Sequence, residues 1–231
     1  MEGSVFAIVK ISYNNIGETS VTGGICGTGF LINDSTLITS NHVLNKNNYL
    51  PNPRFKHVQY WLLKRQDKKI IELSINDIHS FPDIETSIIH LKNKVPCDIM
   101  LSSQNVTLQD AVFSYGHIIS YMPITKAHWN KKLVIDDYNL EQSKSDKSGL
   151  IIDINRVSVS SNDNKINNKL LYKPDFIANM GMSGGPLFKA NQLIGLMSFG
   201  LPADSFIKKE VYAISANEII SVLNPKNSAQ H

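Results

Sequence analysis

Cysteine is scarce in this chain, with only Cys26 and Cys97 among 231 residues. They can close at most one disulfide, so the fold must rest on a hydrophobic core, and so few thiols suit a reducing compartment. Long apolar runs are also missing. No stretch reaches the roughly 18 residues that a transmembrane helix needs. The N-terminal "VFAIVKI" is too short for the hydrophobic region of a secretion signal and has no basic flank. A cytoplasmic protein without a membrane span is expected. Charge of one sign is lacking as well: the net charge is +3, with lysine and arginine scattered among aspartate and glutamate. No basic stripe offers a surface to nucleic acid, so no nucleic-acid partner is expected.

What is present is an ordinary globular composition, 42% hydrophobic and 19% charged. The apolar segments are short and β-branched: "SVFAIVKI", "GTGFLI", "STLITSNHVL", "VQYWLL", "TSIIHL", "DAVFSYG", "KLVID", "LIIDINRV", "LIGLMSFG" and "EVYAIS". Glycine, proline or Asn/Asp clusters separate most of them, which predicts antiparallel β-structure and not alternating βαβ units. The one strong helical signal is terminal: Ser215 and Glu218 form a capping-box pattern before an apolar run stopped by Asn224-Pro225. The polar stretches "EQSKSDKSG" and "SSNDNKINNK" read as exposed loops. A weaker break near "NKVPCDIMLSSQN" divides one domain, residues 1–231, into halves of about 1–100 and 101–214, with a helix at 215–224.

The most informative stretch is "GMSGGPLF", Gly181 to Phe188, where a single serine stands among three glycines. It satisfies both the G-x-S-x-G elbow of α/β-hydrolases and the G-x-S-G-G-P loop of chymotrypsin-like proteases. The elbow requires a histidine after the serine, and only the terminal His231 follows Ser183. It must also open a helix, where each of Gly184 and Gly185 would cost about 1 kcal/mol relative to alanine. The second frame requires a histidine well upstream among small residues, and "LITSNHVL" supplies His42.

Taken in order, "GTGFLI", "LITSNHVL", "ETSIIHL", "GMSGGPLF", "LIGLMSFG" and "VYAIS" resemble the landmarks of trypsin-like serine proteases. The resemblance is nearest to the bacterial high-temperature-requirement branch without its PDZ domain, and it spans about Val5 to Leu223. It implies an all-β, chymotrypsin-like fold of two six-stranded antiparallel β-barrels with a C-terminal helix. The implied activity is that of a serine endopeptidase acting on protein or peptide, with no metal or cofactor. Ser183 is the implied nucleophile and His42 the implied base, with backbone N–H groups of Gly181 and Ser183 as oxyanion donors. The family's D-x-A-x-x-x-L template over "FPDIETSIIHL" puts Glu85 in the acid position; Asp83, two residues earlier on the same strand face, is the alternative.

Other positions depart from the family pattern. Val43 stands where secreted relatives have the disulfide partner of Cys26, so that bridge is absent. Met182 replaces the residue that receives the new N-terminus in zymogen-activated relatives, which leaves open how the oxyanion loop is held. The resemblance builds the S1 pocket from Ile177, Ala178, Ser198, Phe199 and Gly200. Ile177 lies where a trypsin would need aspartate, so a small or aliphatic P1 residue is expected. His57, His79, His90, His117 and His128 read as structural or surface histidines. The competing reading is a catalytically silent, protease-like peptide-binding module. The sequence does not specify an oligomeric state.

Overall fold

Strand β1 (Val5–Tyr13) is buried at every residue, which accounts for an apolar run interrupted only by Lys10 and Ser12. One set of its side chains, Phe6 and Ile8, packs with Cys26, Leu31 and Leu62. The alternate set, Ala7, Val9, Ile11 and Tyr13, packs with Trp61, Leu63, Leu133, Ile135 and Tyr138. A strand covered on both faces loses the polar alternation that a half-exposed strand shows. The computed structural model describes residues 2–17, 21–44, 55–65, 68–73, 77–119, 122–160, 165–199 and 211–223.

Around β1 a curled seven-stranded sheet forms from β2 (Thr22–Asn33), β3 (Thr36–Ser40), β4 (His57–Lys64), β5 (Ile70–Leu73), β6 (Ile78–Phe81) and β7 (Thr86–His90). The strand order is β5-β4-β1-β2-β3-β7-β6. The hairpin of β9 (Ile124–Trp129) and β10 (Leu133–Tyr138) covers the outer face of β1. Tyr138 Oη anchors this hairpin by donating to the carbonyls of Lys64 and Lys69.

The second unit is a closed barrel of β8 (Ala111–His117), β11 (Lys144–Ser160), β12 (Lys165–Pro174), β13 (Pro186–Lys189), β14 (Gln192–Phe199) and β15 (Val211–Ser215). A terminal helix, α2 (Ala216–Leu223), follows. The all-β, chymotrypsin-like class is therefore what the chain adopts. The first unit contains seven strands among the described residues, one more than expected. Phe30, Ile38 and Ile88 of the first unit share one core with Phe188, Leu196 and Ile214 of the second. Among the described residues, no helix is long and apolar enough to cross a membrane.

Two local expectations are corrected. "EQSKSDKSG" is not a loop, because Lys144 to Gly149 begins β11 and pairs with β8 from His117 to Val112. Its outward positions are polar while Ser145 is buried, so the strand carries no hydrophobic alternation to recognise. "SSNDNKINNK" is likewise strand from Lys165 onward, and its residues 161–164 lie outside the described residues. The capping box is only half made. Glu218 N–H reaches Ser215 Oγ at 3.4 Å, but the Glu218 carboxylate accepts from Leu170 N–H at 3.0 Å and pairs with Arg156 and Lys169. Ser215 is a strand residue opposite Gly195, so the carboxylate bonds β12 instead of the helix start. The predicted stop at Asn224-Pro225 lies outside the described residues.

Candidate active site

Strand β3 ends at Ser40, opposite Thr86 of β7, and the chain turns into the short helix α1 (Asn41–Leu44). Asn41 N–H donates to Glu85 O at 2.9 Å, and Ser87 Oγ donates to Asn41 Oδ1 at 3.2 Å. These bonds fix the turn that carries His42. The His42 backbone N–H donates to Glu85 Oε1 at 3.0 Å, and the same oxygen lies against His42 Nδ1. One carboxylate oxygen thus holds both the backbone and the ring of the histidine.

Glu85 reaches this position because its backbone is left-handed, φ 51° and ψ 35°, at the end of the 3₁₀ turn Pro82–Ile84. That conformation costs a non-glycine residue about 1–2 kcal/mol. It turns the side chain inward, where the residue is 2% exposed. Oε2 is buried without a hydrogen-bond partner among the described residues, so the bonding of this carboxylate is concentrated on Oε1. Asp83 is exposed on the same turn and is not the carboxylate on His42.

Ser183 lies in the turn that leads into β13. Gly181 and Gly184 both have positive φ, +101° and +83°. A Cβ on Gly184 would come within 2.1 Å of Thr28 O and Thr39 Oγ1 and 2.9 Å of Ser40 N. The Ser183 turn therefore lies directly against the end of the strand that delivers His42. The Met197 carbonyl couples the same segments, accepting from Gly184 N–H at 2.7 Å and Ser40 Oγ at 2.9 Å. Ser183 itself is buried, at 2% exposure.

Four consecutive carbonyls of this turn are each taken by a donor. Met180 O accepts from Ile119 N–H, Gly181 O from Thr28 Oγ, Met182 O from Gly185 N–H, and Ser183 O from Thr28 N–H. A trans peptide points its N–H opposite to its C=O. The N–H groups of Gly181 and Ser183 are accordingly turned away from Ile119 and from Gly185, and no acceptor among the described residues takes them. Met182 is fully buried; its thioether accepts from Ser145 Oγ at 3.3 Å, and Ser145 Oγ accepts from Asn179 Nδ2 at 3.0 Å. An uncharged packing contact thus occupies the position where an ion pair could have held the loop.

Among the other anticipated residues, Ser198 is buried and pairs with Tyr212, and Ala178 packs beside a cluster that includes Met197 and Ala213. Ile177 is 73% exposed and is not enclosed by the described residues. The Phe199 backbone pairs with Val211, while Gly200 lies outside the described residues. Among the described residues no cluster of His, Cys, Asp and Glu could hold a metal ion.

Two residues next to the turn are not linked to it by sequence: Thr28 has no role there, and His117 reads as a structural or surface histidine. Thr28, in "GTGFLI", is fully buried and touches the loop twice. His117 is buried as well, and its carbonyl lies against Gly181. Ser143 Oγ donates to Leu140 O, so it accepts from His117 Nδ1 at 3.0 Å. Burial, with the Arg65 charge second, lowers the His117 pKa to about 4, so this ring is neutral at pH 7.

A family model described as Trypsin matches residues 6–220. The chain belongs to the trypsin family. It is a serine peptidase of that family, and its fold recurs in bacterial members. The active form of the Rv3671c protease from M. tuberculosis superposes with a TM-score of 0.62 at 17% identity, covering 99% of this chain and 83% of that one. The MamO protease domain from Magnetospirillum magneticum gives 0.59 at 15% identity, covering 94% and 95%. The HtrA-type protease AlgW, solved with a tripeptide, gives 0.63 at 14% identity, covering 99% of this trypsin-family chain and 61% of its own. No curated protein sequence matches the chain.

Proposed function

We propose that this chain is a serine endopeptidase that hydrolyses peptide bonds through an acyl-enzyme, with Ser183 as nucleophile, His42 as general base and acid, and Glu85 as the orienting carboxylate. The observation that carries this reading is the double contact of Glu85 Oε1 with the backbone N–H and Nδ1 of His42. An ionised carboxylate only accepts, so the imidazole proton sits on Nδ1 and the lone pair is left on Nε2. In that tautomer His42 takes the Ser183 proton as Oγ attacks the scissile carbonyl, and Glu85 stabilises the imidazolium that forms. The proton then passes to the leaving amine, and a water activated by the same histidine releases the acyl group.

The tetrahedral oxyanion is received by the N–H groups of Gly181 and Ser183, whose peptide planes are held by bonds to their carbonyls. Loss of one such donor typically costs about 3 kcal/mol of transition-state stabilisation. The substrate lies extended along the Ser198–Gly200 segment as an added strand. Ile177 and Ala178 offer no countercharge to arginine or lysine, which supports a small or aliphatic P1 residue. Cys26 and Cys97 are both free thiols, which supports work in a reducing, cytoplasmic setting.

The test is labelling by a fluorophosphonate probe of the wild type, Ser183→Ala and His42→Ala. Only the wild type is expected to label. If it stays unlabelled from pH 6 to 9, the enzyme reading yields to a silent peptide-binding module.

A further inference from the structure

The loop that carries Ser183 belongs to the C-terminal barrel, whereas His42 belongs to the N-terminal sheet. Chemistry between them needs the two units held in a fixed relation. Met182 brings no charge to this task. We propose that Thr28 is the positioning residue that sets the nucleophile loop against the histidine-bearing sheet; the proposal rests on the serine-peptidase reading above.

Thr28 holds two of the four peptide planes from Met180 to Gly184. Its hydroxyl donates to Gly181 O at 2.7 Å, and its N–H donates to Ser183 O at 2.9 Å. The direction of the first bond is determined. His117 N–H reaches the same hydroxyl oxygen at 2.9 Å and can only donate, so the single hydroxyl proton is directed to Gly181 O. The other two carbonyls are bonded from within the second unit, by Ile119 N–H and Gly185 N–H, as are the N–H ends of the two planes that Thr28 holds, Met182 N–H to Asn179 O and Gly184 N–H to Met197 O. Thr28 is therefore the residue that ties these planes to the first sheet.

Thr28 also bonds the strand that precedes His42. Its carbonyl accepts from Thr39 Oγ1 at 2.7 Å, and Thr39 stands three residues before His42 on β3. One residue thus connects Gly181, Ser183 and the strand that leads to the histidine. It is completely buried, so water cannot replace its hydroxyl. Without the hydroxyl, the Gly181–Met182 peptide loses its external donor. The same plane then keeps only the 3.1 Å bond from Met182 N–H to Asn179 O, so its tie to the first sheet is lost and the adjoining Ser183 N–H can shift.

The experiment measures fluorophosphonate labelling kinetics, separating the maximal labelling rate from the probe concentration at half-saturation, for wild type, Ser183→Ala, Thr28→Ser, Thr28→Cys and Thr28→Val. Rates are taken below each variant's melting temperature. Thr28→Val should slow the maximal rate by about 30- to 100-fold while half-saturation stays within about twofold. Thr28→Ser, which keeps the O–H donor, should stay within about threefold of wild type; Thr28→Cys, a weaker donor, should fall between.

A Thr28→Val protein that labels at the wild-type rate overturns the proposal, as does a Thr28→Ser protein that is as slow as valine. If the valine variant does not fold, Cys against Ser decides: equal rates overturn the proposal, and a slower cysteine variant with unchanged half-saturation supports it. A wild type that does not label overturns the nucleophile reading and this proposal with it. A labelled wild type with indifferent Thr28 variants overturns the positioning role alone.

Discussion

Glu85 Oε1 accepts the backbone N–H of His42 at 3.0 Å and lies against Nδ1 of the same residue, so the histidine is oriented twice by one atom. The arrangement depends on a carboxylate that accepts from both. In Glu85→Gln the amide either keeps its oxygen on both donors without the charge that stabilises the imidazolium, or turns its NH₂ toward Nδ1 against the backbone N–H and moves the ring proton to Nε2, where it blocks proton transfer from Ser183. The labelling rate should fall by roughly 10³–10⁴-fold in Glu85→Gln. Asp83→Asn should remain within about twofold, because Asp83 is exposed. Equal losses in the two variants would refute the assignment of Glu85.

Gly184 is a position where the two units approach closely. Both its φ of +83° and the 2.1 Å approach of a Cβ to Thr28 O exclude a side chain. Gly184→Ala should therefore lose about 3 kcal/mol or more of stability, from backbone strain together with overpacking. Thermal melts of the alanine variant and the wild type measure the loss. A melting temperature within a degree of wild type would show that this contact does not restrain the fold.

His42 and Ser183 stand out in the sequence because small residues flank both, which leaves a local pattern. The β1 run reads only as an apolar strand, and nothing within Val5 to Tyr13 reveals that a hairpin from residues 124–138 covers its second face. Glu85 required a template, since its inward direction comes from a left-handed backbone that sequence patterns do not encode. Thr28 and His117 stayed hidden because their partners are distant in the chain, 153 residues for Thr28 with Gly181 and 89 for His117 with Thr28. Strand β11 was obscured where serine, lysine and aspartate occupy its start, since backbone pairing to β8 leaves no hydrophobic trace.

Cys26 should be chemically inert in the folded protein. Burial pushes its thiol up to about 12, against the opposing pull of the nearby Lys10 charge, and its Sγ is directed to the carbonyls of Ile8 and Val43. Thiolate is the reactive form, so iodoacetamide at pH 8 should leave Cys26 unmodified in native protein and alkylate it in concentrated urea. Peptide mass mapping distinguishes the two states. Alkylation of Cys26 at equal rates in both would show that the β1–β2 interior admits solvent.

His117 should make stability depend on pH in a definite direction. Its pKa is lowered to about 4 in the folded chain, below its ordinary 6.5, chiefly by burial. Between these values the unfolded chain binds the extra proton, so stability rises with pH across this window. The contribution is present in full above about pH 6.5 and is lost as pH falls toward 4, to a total of about 3 kcal/mol. Urea unfolding at pH 4.5, 5.5, 6.5 and 7.5, compared between wild type and His117→Asn, separates this term from the carboxylates, which titrate in both proteins. The asparagine variant should show a flatter decline on acidification, since its side chain takes up no proton while still offering an N–H to Ser143. Parallel declines in the two proteins would mean that His117 is already solvated in the folded state, and the support it gives beneath Gly181 would have to be reassigned.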